Sequence, residues 1–172
     1  MEPLDPIVET LAAHAVSFVV IGNYGAQLHG AEVHTADADV AYQRSEENHR
    51  RLAAALGEID ARIIRSETFT IPLPTDQPGI FEERDFWRLR TAHGDVDLIF
   101  EPLGGGYDHL LPNAVRVMVG RYPVLVASID DIIRSKELAD RAKDHQSLPA
   151  LRRFRDQQQR SQADSSGLGF DL

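Results

Sequence analysis

The sequence predicts an α+β fold, in which helices flank a layered, mixed β-sheet and further helices follow near the C-terminal end. Short apolar runs with a period of two alternate along the chain with segments whose apolar residues recur at helical spacing. The predicted order of elements is helix, strand, helix, strand, helix, strands and then helices. This order is typical of a domain in which helices pack in layers on a sheet.

Start and stop signals define the elements of the first half of the chain. Pro6 opens the first helix, Ser45 caps a later one, and Gly57 ends it. A segment with three prolines, residues 68–79, is predicted to be a loop. The predicted elements are a helix at 6–14, a strand at 17–21, a turn at 22–23, a helix at 24–29, a strand around 37–42, a helix at 46–57 and a strand at 61–64.

The second half repeats these signals, with a hairpin before two final helices. Gly120 and Arg121 separate two apolar runs, and Ser128 precedes a helix with acidic residues in its first turn. The predicted elements are strands at 86–90 and 95–100, a short helix at 107–111, strands at 115–119 and 123–126, a helix from 129 and a last helix at 148–159.

Length and composition restrict the class of protein. The 172 residues fit one domain, which we expect to span 1–160, followed by a flexible tail at 161–172 that is rich in Ser, Gly and Gln. The absence of cysteine excludes disulfides, thiolate zinc sites and cysteine nucleophiles. No apolar run of about 18 residues and no signal peptide is recognisable, so we expect a cytoplasmic protein without membrane contact. The net charge of −9 argues against nonspecific coating of nucleic acid.

Two pairs of acids indicate a metal site. Asp37 and Asp39 are two residues apart on a predicted strand, so their side chains lie on one face with Cα atoms about 7 Å apart. Two carboxylates this close are not readily ionised together, and a bound divalent cation commonly compensates their negative charge. Asp95 and Asp97 share a face of a later strand. When two acids lie near the start of a strand, it is more common for one to be a metal ligand and the other to be solvated than for both to bind metal. Three carboxylates around two Mg²⁺ ions suit in-line attack of an oxygen on phosphorus.

Phosphate-binding groups accompany these acids. The turn formed by Gly22 and Asn23 precedes a helix, whose N-terminal backbone N–H groups are suited to bind an anion. The chain has only two lysines, Lys136 and Lys143, and both lie in the segment RSKELADRAKD. A lysine ammonium group is a compact point charge that suits phosphate. Asp144 is equally consistent with capping a helix and with a functional role.

Other chemically capable residues are expected to be structural. Histidines His29 and His34 flank the turn and strand but are interpreted as polar loop residues. Arg134 and Arg141 could contact a bound phosphate but are expected to face water. Trp87 and Phe86 could stack on a base but are expected to pack in the core or a loop. The arginines at 152–155 are interpreted as an exposed helix face, although they could contact an RNA backbone.

Together the motifs resemble a known superfamily. A glycine turn after a strand, D-x-D on the next strand and a third acid on a distant apolar strand resemble the nucleotidyltransferases of DNA polymerase β type. The fuller pattern is similar to the small nucleotidyltransferases of AbiE-type and MenT-type toxin–antitoxin systems, over about residues 15–150. That pattern reads FVVIGNYGAQLHG…TADADVAY…GDVDLIF…VASIDDIIRSKELADRAKD.

The resemblance implies a role for each matching residue. The three implied metal ligands are Asp37, Asp39 and Asp97, which with Lys136 form the implied catalytic set. The residues implied to bind the nucleotide are Gly22, Asn23, Lys136, Lys143 and Asp144. Asn23 departs from the pattern, in which Ser or Gly follows the first glycine, but its amide can donate a hydrogen bond to phosphate.

The implied activity is transfer of NMP from an NTP, with two Mg²⁺ ions, to an acceptor hydroxyl. The acceptor implied by the resemblance is the 3′ end of tRNA, and the implied partner is a cognate antitoxin protein. One alternative is AMP transfer to a partner protein, which would make this chain an antitoxin. A second alternative is a non-catalytic binding module with the same fold.

Overall fold

A mixed eight-stranded sheet forms the centre of the structure, a computed structural model that describes residues 2–167. The strand order is β4-β3-β5-β6-β2-β1-β8-β7. The α+β fold with a mixed sheet and flanking helices predicted from the sequence is therefore confirmed. The strands are β1 (Phe18–Ile21), β2 (Asp37–Tyr42), β3 (Arg62–Ser66), β4 (Phe69–Pro72), β5 (Phe86–Thr91), β6 (Gly94–Ile99), β7 (Val115–Val119) and β8 (Tyr122–Val126).

Helices cover both faces of this sheet. The predicted caps are present: Ser45 Oγ accepts a hydrogen bond from the Asn48 N–H, and Ser128 Oγ accepts one from the Asp131 N–H, both at 3.1 Å. Each cap satisfies a backbone donor that has no partner within the helix. The helices are α1 (Asp5–Ala13), α2 (Gly22–His29), α3 (Glu46–Glu58), α4 (Tyr107–Leu110), α5 (Ile129–Ala139) and α6 (Ala142–Gly167).

The two faces of β2 pack into different apolar cores. Ala38, Val40 and Tyr42 belong to the larger apolar core, into which α1 and α3 also pack. Ala41 belongs to a second core with residues of α2, α4, α5 and α6. Because side chains alternate along a strand, Asp37 and Asp39 lie on the same face as Ala41, toward the second core. The acids are thus presented on the side of the sheet where α5 and α6 pack.

Strand pairing then brings distant segments together. The β1 and β2 strands are antiparallel, with Ile21 opposite Asp39, so the turn after β1 lies next to the acids of β2. The β2 and β6 strands are parallel, with Asp37 opposite Asp95 and Asp39 opposite Asp97. All four acids therefore lie on one face of two adjacent strands.

The prediction of a loop at 68–79 is wrong in part. Phe69–Pro72 form β4, which pairs with β3, and Pro78–Glu82 form a 3₁₀ helix. Proline is tolerated in β4 because this strand lies at the edge of the sheet, where an N–H facing away from β3 has no partner to lose. The helix predicted at 107–111 is divided into α4 and a 3₁₀ turn at Leu111–Asn113.

The last helix is longer than the sequence indicated at both ends. It begins at Ala142 rather than 148 and continues through residues 161–167, where the predicted tail begins. Extension of an existing helix adds one hydrogen bond per residue, and Gln, Arg and Ala favour it. Residues 168–172 of the predicted tail lie outside the described residues. Between residues 2 and 167, no helix is long and apolar enough to span a membrane.

Candidate active site

Three carboxylates converge at the centre of the sheet. Asp37, Asp39 and Asp97 each offer one oxygen atom, and these atoms all lie within 4.8 Å of one another. The convergence follows from alternation along β2 together with the parallel register that sets Asp39 opposite Asp97. The structure thus brings together the three acids that the sequence singled out as metal ligands.

The neighbouring acid Asp95 has a different environment. Its carboxylate accepts two hydrogen bonds from Arg90, at 3.0 and 3.2 Å. The Asp97 Oδ1 atom, by contrast, is buried without a hydrogen-bond partner, and its closest cation is Arg88, whose Nε is 4.0 Å away. Of the two acids on β6, Asp97 is therefore the one whose carboxylate belongs to the cluster.

Burial makes this cluster electrostatically unfavourable when all three acids are ionised. Loss of solvation and then the charge of Asp37 raise the pKa of Asp39 to about 7. The same two causes raise the pKa of Asp97 to about 6. A bound cation would remove both penalties, since opposite charge favours the ionised form. A set of carboxylate oxygens fits Mg²⁺, which prefers oxygen ligands, and the buried, unpartnered Oδ1 of Asp97 is available to bind it.

The turn between β1 and α2 lies directly against this cluster. Gly22 adopts a φ of +67°, in the left-handed region. Asn23 Nδ2 donates a hydrogen bond of 2.9 Å to the His34 carbonyl, which lies in the loop leading into β2. One of the two N–H groups of the Asn23 side-chain amide therefore holds this loop, and the second is left to donate to another acceptor.

A buried carboxylate of α6 binds two cations, one on α5 and one in the link between α5 and α6. The Asp144 side chain is 0% exposed and lies 3.6 Å from Lys136 Nζ. Arg141 donates to the same carboxylate from Nε, at 2.8 Å. Burial opposes ionisation of Asp144, but the hydrogen bonds from Arg141 outweigh it, and the pKa of Asp144 is lowered. Asp144 is thus ionised and fixes both cations next to the acids of β2.

Two cavities open beside the acids. The polar cavity, of about 480 Å³, is lined by Asn23, Asp37, Asp39, Lys136, Arg141 and Lys143, among others. The apolar cavity, of about 330 Å³, has walls from β1, the segment after β6 and α5. Asp39, Lys136 and Arg141 line both cavities. The three cations on the wall of the polar cavity make it suited to a polyanion such as a triphosphate.

For Arg141 the sequence left two positions open, beside a bound phosphate or facing water, and the expected one was facing water. Its guanidinium is still 59% exposed, but it pairs with Asp144 and borders both cavities. Its position between Lys136 and Lys143, three residues before Asp144, was the available signal. Among the residues expected to be structural, His34 lines the polar cavity, whereas His29 Nε2 lies 2.8 Å from the Ala127 carbonyl and Trp87 is in the core.

Comparison with solved structures finds proteins that share the fold of this chain. One similar structure is the antibiotic-resistance factor ANT(2″)-Ia, with a TM-score of 0.55, 11% identity, and coverage of 87% of this chain and 80% of that chain. Another is a candidate nucleotidyltransferase from Thermotoga maritima, with a TM-score of 0.52, 15% identity, and coverage of 88% and 91%. No protein-family model matches the sequence, and no curated protein matches it significantly.

Proposed function

We propose that this protein is a Mg²⁺-dependent nucleotidyltransferase, acting in the cytoplasm, that transfers NMP from an NTP to an acceptor hydroxyl. The observation that carries the proposal is the convergence of Asp37, Asp39 and Asp97 next to a cavity lined by Lys136, Arg141 and Lys143. The nucleotidyltransferase fold supports this interpretation. The proposed acceptor is the 3′ end of tRNA, and the proposed role is that of a toxin with a cognate antitoxin.

Asp37, Asp39 and Asp97 would hold two Mg²⁺ ions. When bound, Mg²⁺ neutralises charge on the triphosphate and makes the acceptor hydroxyl more acidic. Lys136 and Lys143 bind the phosphates in the polar cavity, with Arg141 beside them. The backbone N–H groups of the Gly22-Asn23 turn lie at the helix N-terminus, where they stabilise an anion. Asp144 keeps Lys136 and Arg141 in place.

The proposed reaction is an in-line displacement at the α-phosphorus. A bond forms between the acceptor oxygen and this phosphorus, and the bond from phosphorus to the α–β bridging oxygen breaks. Pyrophosphate leaves with the electron pair, and the Asp97 carboxylate helps to take the proton of the acceptor hydroxyl.

The direct test is incubation with α-labelled NTPs, Mg²⁺ and total tRNA, followed by separation of the labelled products. We expect label at the 3′ end of tRNA. No label should appear on tRNA whose 3′ end was oxidised with periodate before the reaction, or with the Asp39→Asn variant. Absence of label on tRNA and on every candidate protein, with the protein folded, would exclude the transferase activity.

One observation favours a second acceptor class, a hydroxyl of a partner protein. The net charge of −9 repels a polyanionic RNA, whereas it does not disfavour every protein surface. AMP transfer to a partner would give this chain the role of an antitoxin. A labelling reaction that contains both tRNA and extracts with candidate partners distinguishes the two acceptors. If a partner protein is the acceptor, label appears in a protein band and is absent from tRNA.

A further inference from the structure

Strand β7 forms one edge of the eight-stranded sheet, beside β8. The backbone N–H and C=O groups on the outer side of an edge strand have no partner in the sheet, so such a strand can pair with another chain. The opposite edge strand, β4, has features that hinder this pairing: Pro72 lies in it, and its pairing with β3 is irregular between Ile64 and Ser66. Strand β7 has a regular ladder with β8, no proline and a single charged residue, Arg116. Of the two edges, β7 is therefore the one that is open to pairing.

Two residues of β7 direct their backbone hydrogen-bonding groups away from the sheet. The hairpin of β7 and β8 closes with Val119 opposite Tyr122, around a two-residue turn. Residues that flank such a turn form a hydrogen-bonded pair, and hydrogen-bonded pairs alternate with non-hydrogen-bonded pairs along an antiparallel ladder. Val119 and Val117 therefore bond to β8, whereas the N–H and C=O groups of Arg116 and Met118 point outward.

Exposed apolar side chains accompany these backbone groups. Val115 is 45% exposed and Met118 is 63% exposed, and Leu111, in the turn that precedes β7, is 40% exposed. Val117 and Val119 are on the other hand packed against the larger apolar core, so the strand is held firmly in place. Removal of the exposed apolar surface from water would favour association along this edge.

The charge of this edge differs from that of the whole chain. Residues 109–129 include no Asp or Glu, although the chain has 27 acids and a net charge of −9. Arg116 and Arg121, both exposed, give the edge a local positive charge. Two copies that each carry a charge of −9 repel one another, but this edge contributes no carboxylate of its own and presents positive charge to an acidic molecule. The charge distribution thus favours a second copy of this chain as the partner of β7.

We propose that β7 pairs antiparallel with β7 of a second copy, across a two-fold axis at Val117, and so joins two sheets into one dimer. Arg116 then lies opposite Met118 of the second copy, and the outward backbone groups of each such pair form two hydrogen bonds. Val117 lies opposite Val117 of the second copy and Val115 opposite Val119, which are favourable cross-strand pairs. A register centred on Arg116 would set two guanidinium groups opposite each other, so it is disfavoured. The pairing does not depend on the proposed transferase function.

Sedimentation velocity of the full-length protein tests the pairing without any substitution. A contact between two short strands is smaller than a typical stable interface of about 1,200–2,000 Å², so we expect a reversible equilibrium between monomer and dimer at about 10–100 µM. Two-fold pairing uses the β7 edge of both copies, so the assembly should stop at the dimer. A monomer at every concentration up to about 1 mM would overturn the proposal, and so would assemblies that keep growing with concentration.

Met118→Lys and Met118→Glu test the register as a matched pair. The Met118 side chain is exposed, so neither substitution should disturb the fold of one copy, which circular dichroism verifies. We expect Met118→Lys to weaken the dimer about tenfold, because a like charge then lies opposite Arg116 on both sides of the axis. Met118→Glu should dimerise at least as tightly as the wild type, because it sets opposite charges in the same positions. Equal weakening by the two substitutions would overturn the proposed register.

Met118→Pro tests whether the backbone makes the contact, with Met118→Val as its control. Proline removes the outward N–H group, and it is tolerated at a sheet edge because the bonds of Val117 and Val119 to β8 remain. We expect Met118→Pro to weaken the dimer at least tenfold, since one hydrogen bond is lost from each copy, and Met118→Val to stay within about threefold of the wild type. A folded Met118→Pro variant that dimerises like the wild type would overturn strand pairing. If this variant does not fold, the comparison of Met118→Lys with Met118→Glu decides the question.

Discussion

The carboxylate of Asp39 occupies the space that a side chain at Gly22 would need. A Cβ atom at position 22 would lie 2.6 Å from Asp39 Oδ2. Gly22 also has a φ of +67°, which residues with a side chain adopt only at a cost. Ile21 and Asp39 are paired in the sheet, so the turn that begins α2 is held next to the Asp39 carboxylate.

Gly22→Ala is therefore expected to displace Asp39 and lower nucleotidyl transfer. Backbone strain and the close contact together should reduce the free energy of unfolding by roughly 1–3 kcal/mol. Urea unfolding and the labelled-NTP assay measure the two effects. Gly79→Ala is the control, because a Cβ atom there meets nothing within 4 Å. Transfer by Gly22→Ala at the wild-type rate would contradict the proposed arrangement.

Asp97→Asn and Asp95→Asn should differ sharply in activity. We expect Asp97→Asn to reduce the transfer rate on the order of 100-fold, which corresponds to a loss of about 2.7 kcal/mol of transition-state stabilisation. Asp95→Asn should retain activity within a few-fold, because the Asp95 carboxylate is bound by Arg90 outside the proposed ligand set. Initial rates at saturating Mg²⁺ decide the point. Equal losses in the two variants would mean that Asp95 is also required.

The metal-free protein should lose stability as the pH rises from about 4 to 7. Burial raises the pKa of Asp39 to about 7 and that of Asp97 to about 6. Both acids therefore ionise more readily in the unfolded chain, so deprotonation favours unfolding across this range. Between pH 5 and pH 7.5 we expect a loss of roughly 1–3 kcal/mol from this cluster, measured by urea unfolding in EDTA.

Asp39→Asn isolates this effect from other titrating groups. The substitution removes one buried charge, so the metal-free variant should be more stable than the wild type at pH 7.5, by an amount that shrinks toward pH 4. Mg²⁺ should stabilise the wild type more than the variant at pH 7.5, because bound metal favours the ionised acids. A pH profile identical in both proteins would show that Asp39 is not perturbed by burial.

Asp144→Asn should destabilise the fold as well as reduce activity. Removing one partner of a buried ion pair leaves Lys136, whose side chain is only 12% exposed, without its counter-charge. The expected cost is about 3 kcal/mol in the free energy of unfolding. Asp140→Asn is the matched control, since Asp140 is 73% exposed and Asn tolerates its φ of +52°. A loss below about 1 kcal/mol in Asp144→Asn would indicate that Lys136 finds another partner or solvent.

The sequence alone determined the local features of this protein. Alternation along a strand places Asp37 and Asp39 on one face wherever β2 lies, because the side-chain period is a property of extended backbone. Helix caps at Ser45 and Ser128 are equally local, since they depend on residues within one turn.

Only the tertiary structure decided which of the remaining candidates belong to the site. Asp97 lies beside Asp37 and Asp39 because β6 pairs in parallel with β2. The Asp95 carboxylate is instead hydrogen-bonded to Arg90 on the neighbouring strand β5. Arg141 borders the cavities because it pairs with Asp144, a residue of α6 that is buried where this helix packs on α5. The pairing of β6 with β2 joins segments far apart in the chain, and the burial of Asp144 depends on how α6 packs on α5. Local periodicity carries no information about which strand or helix will lie beside which.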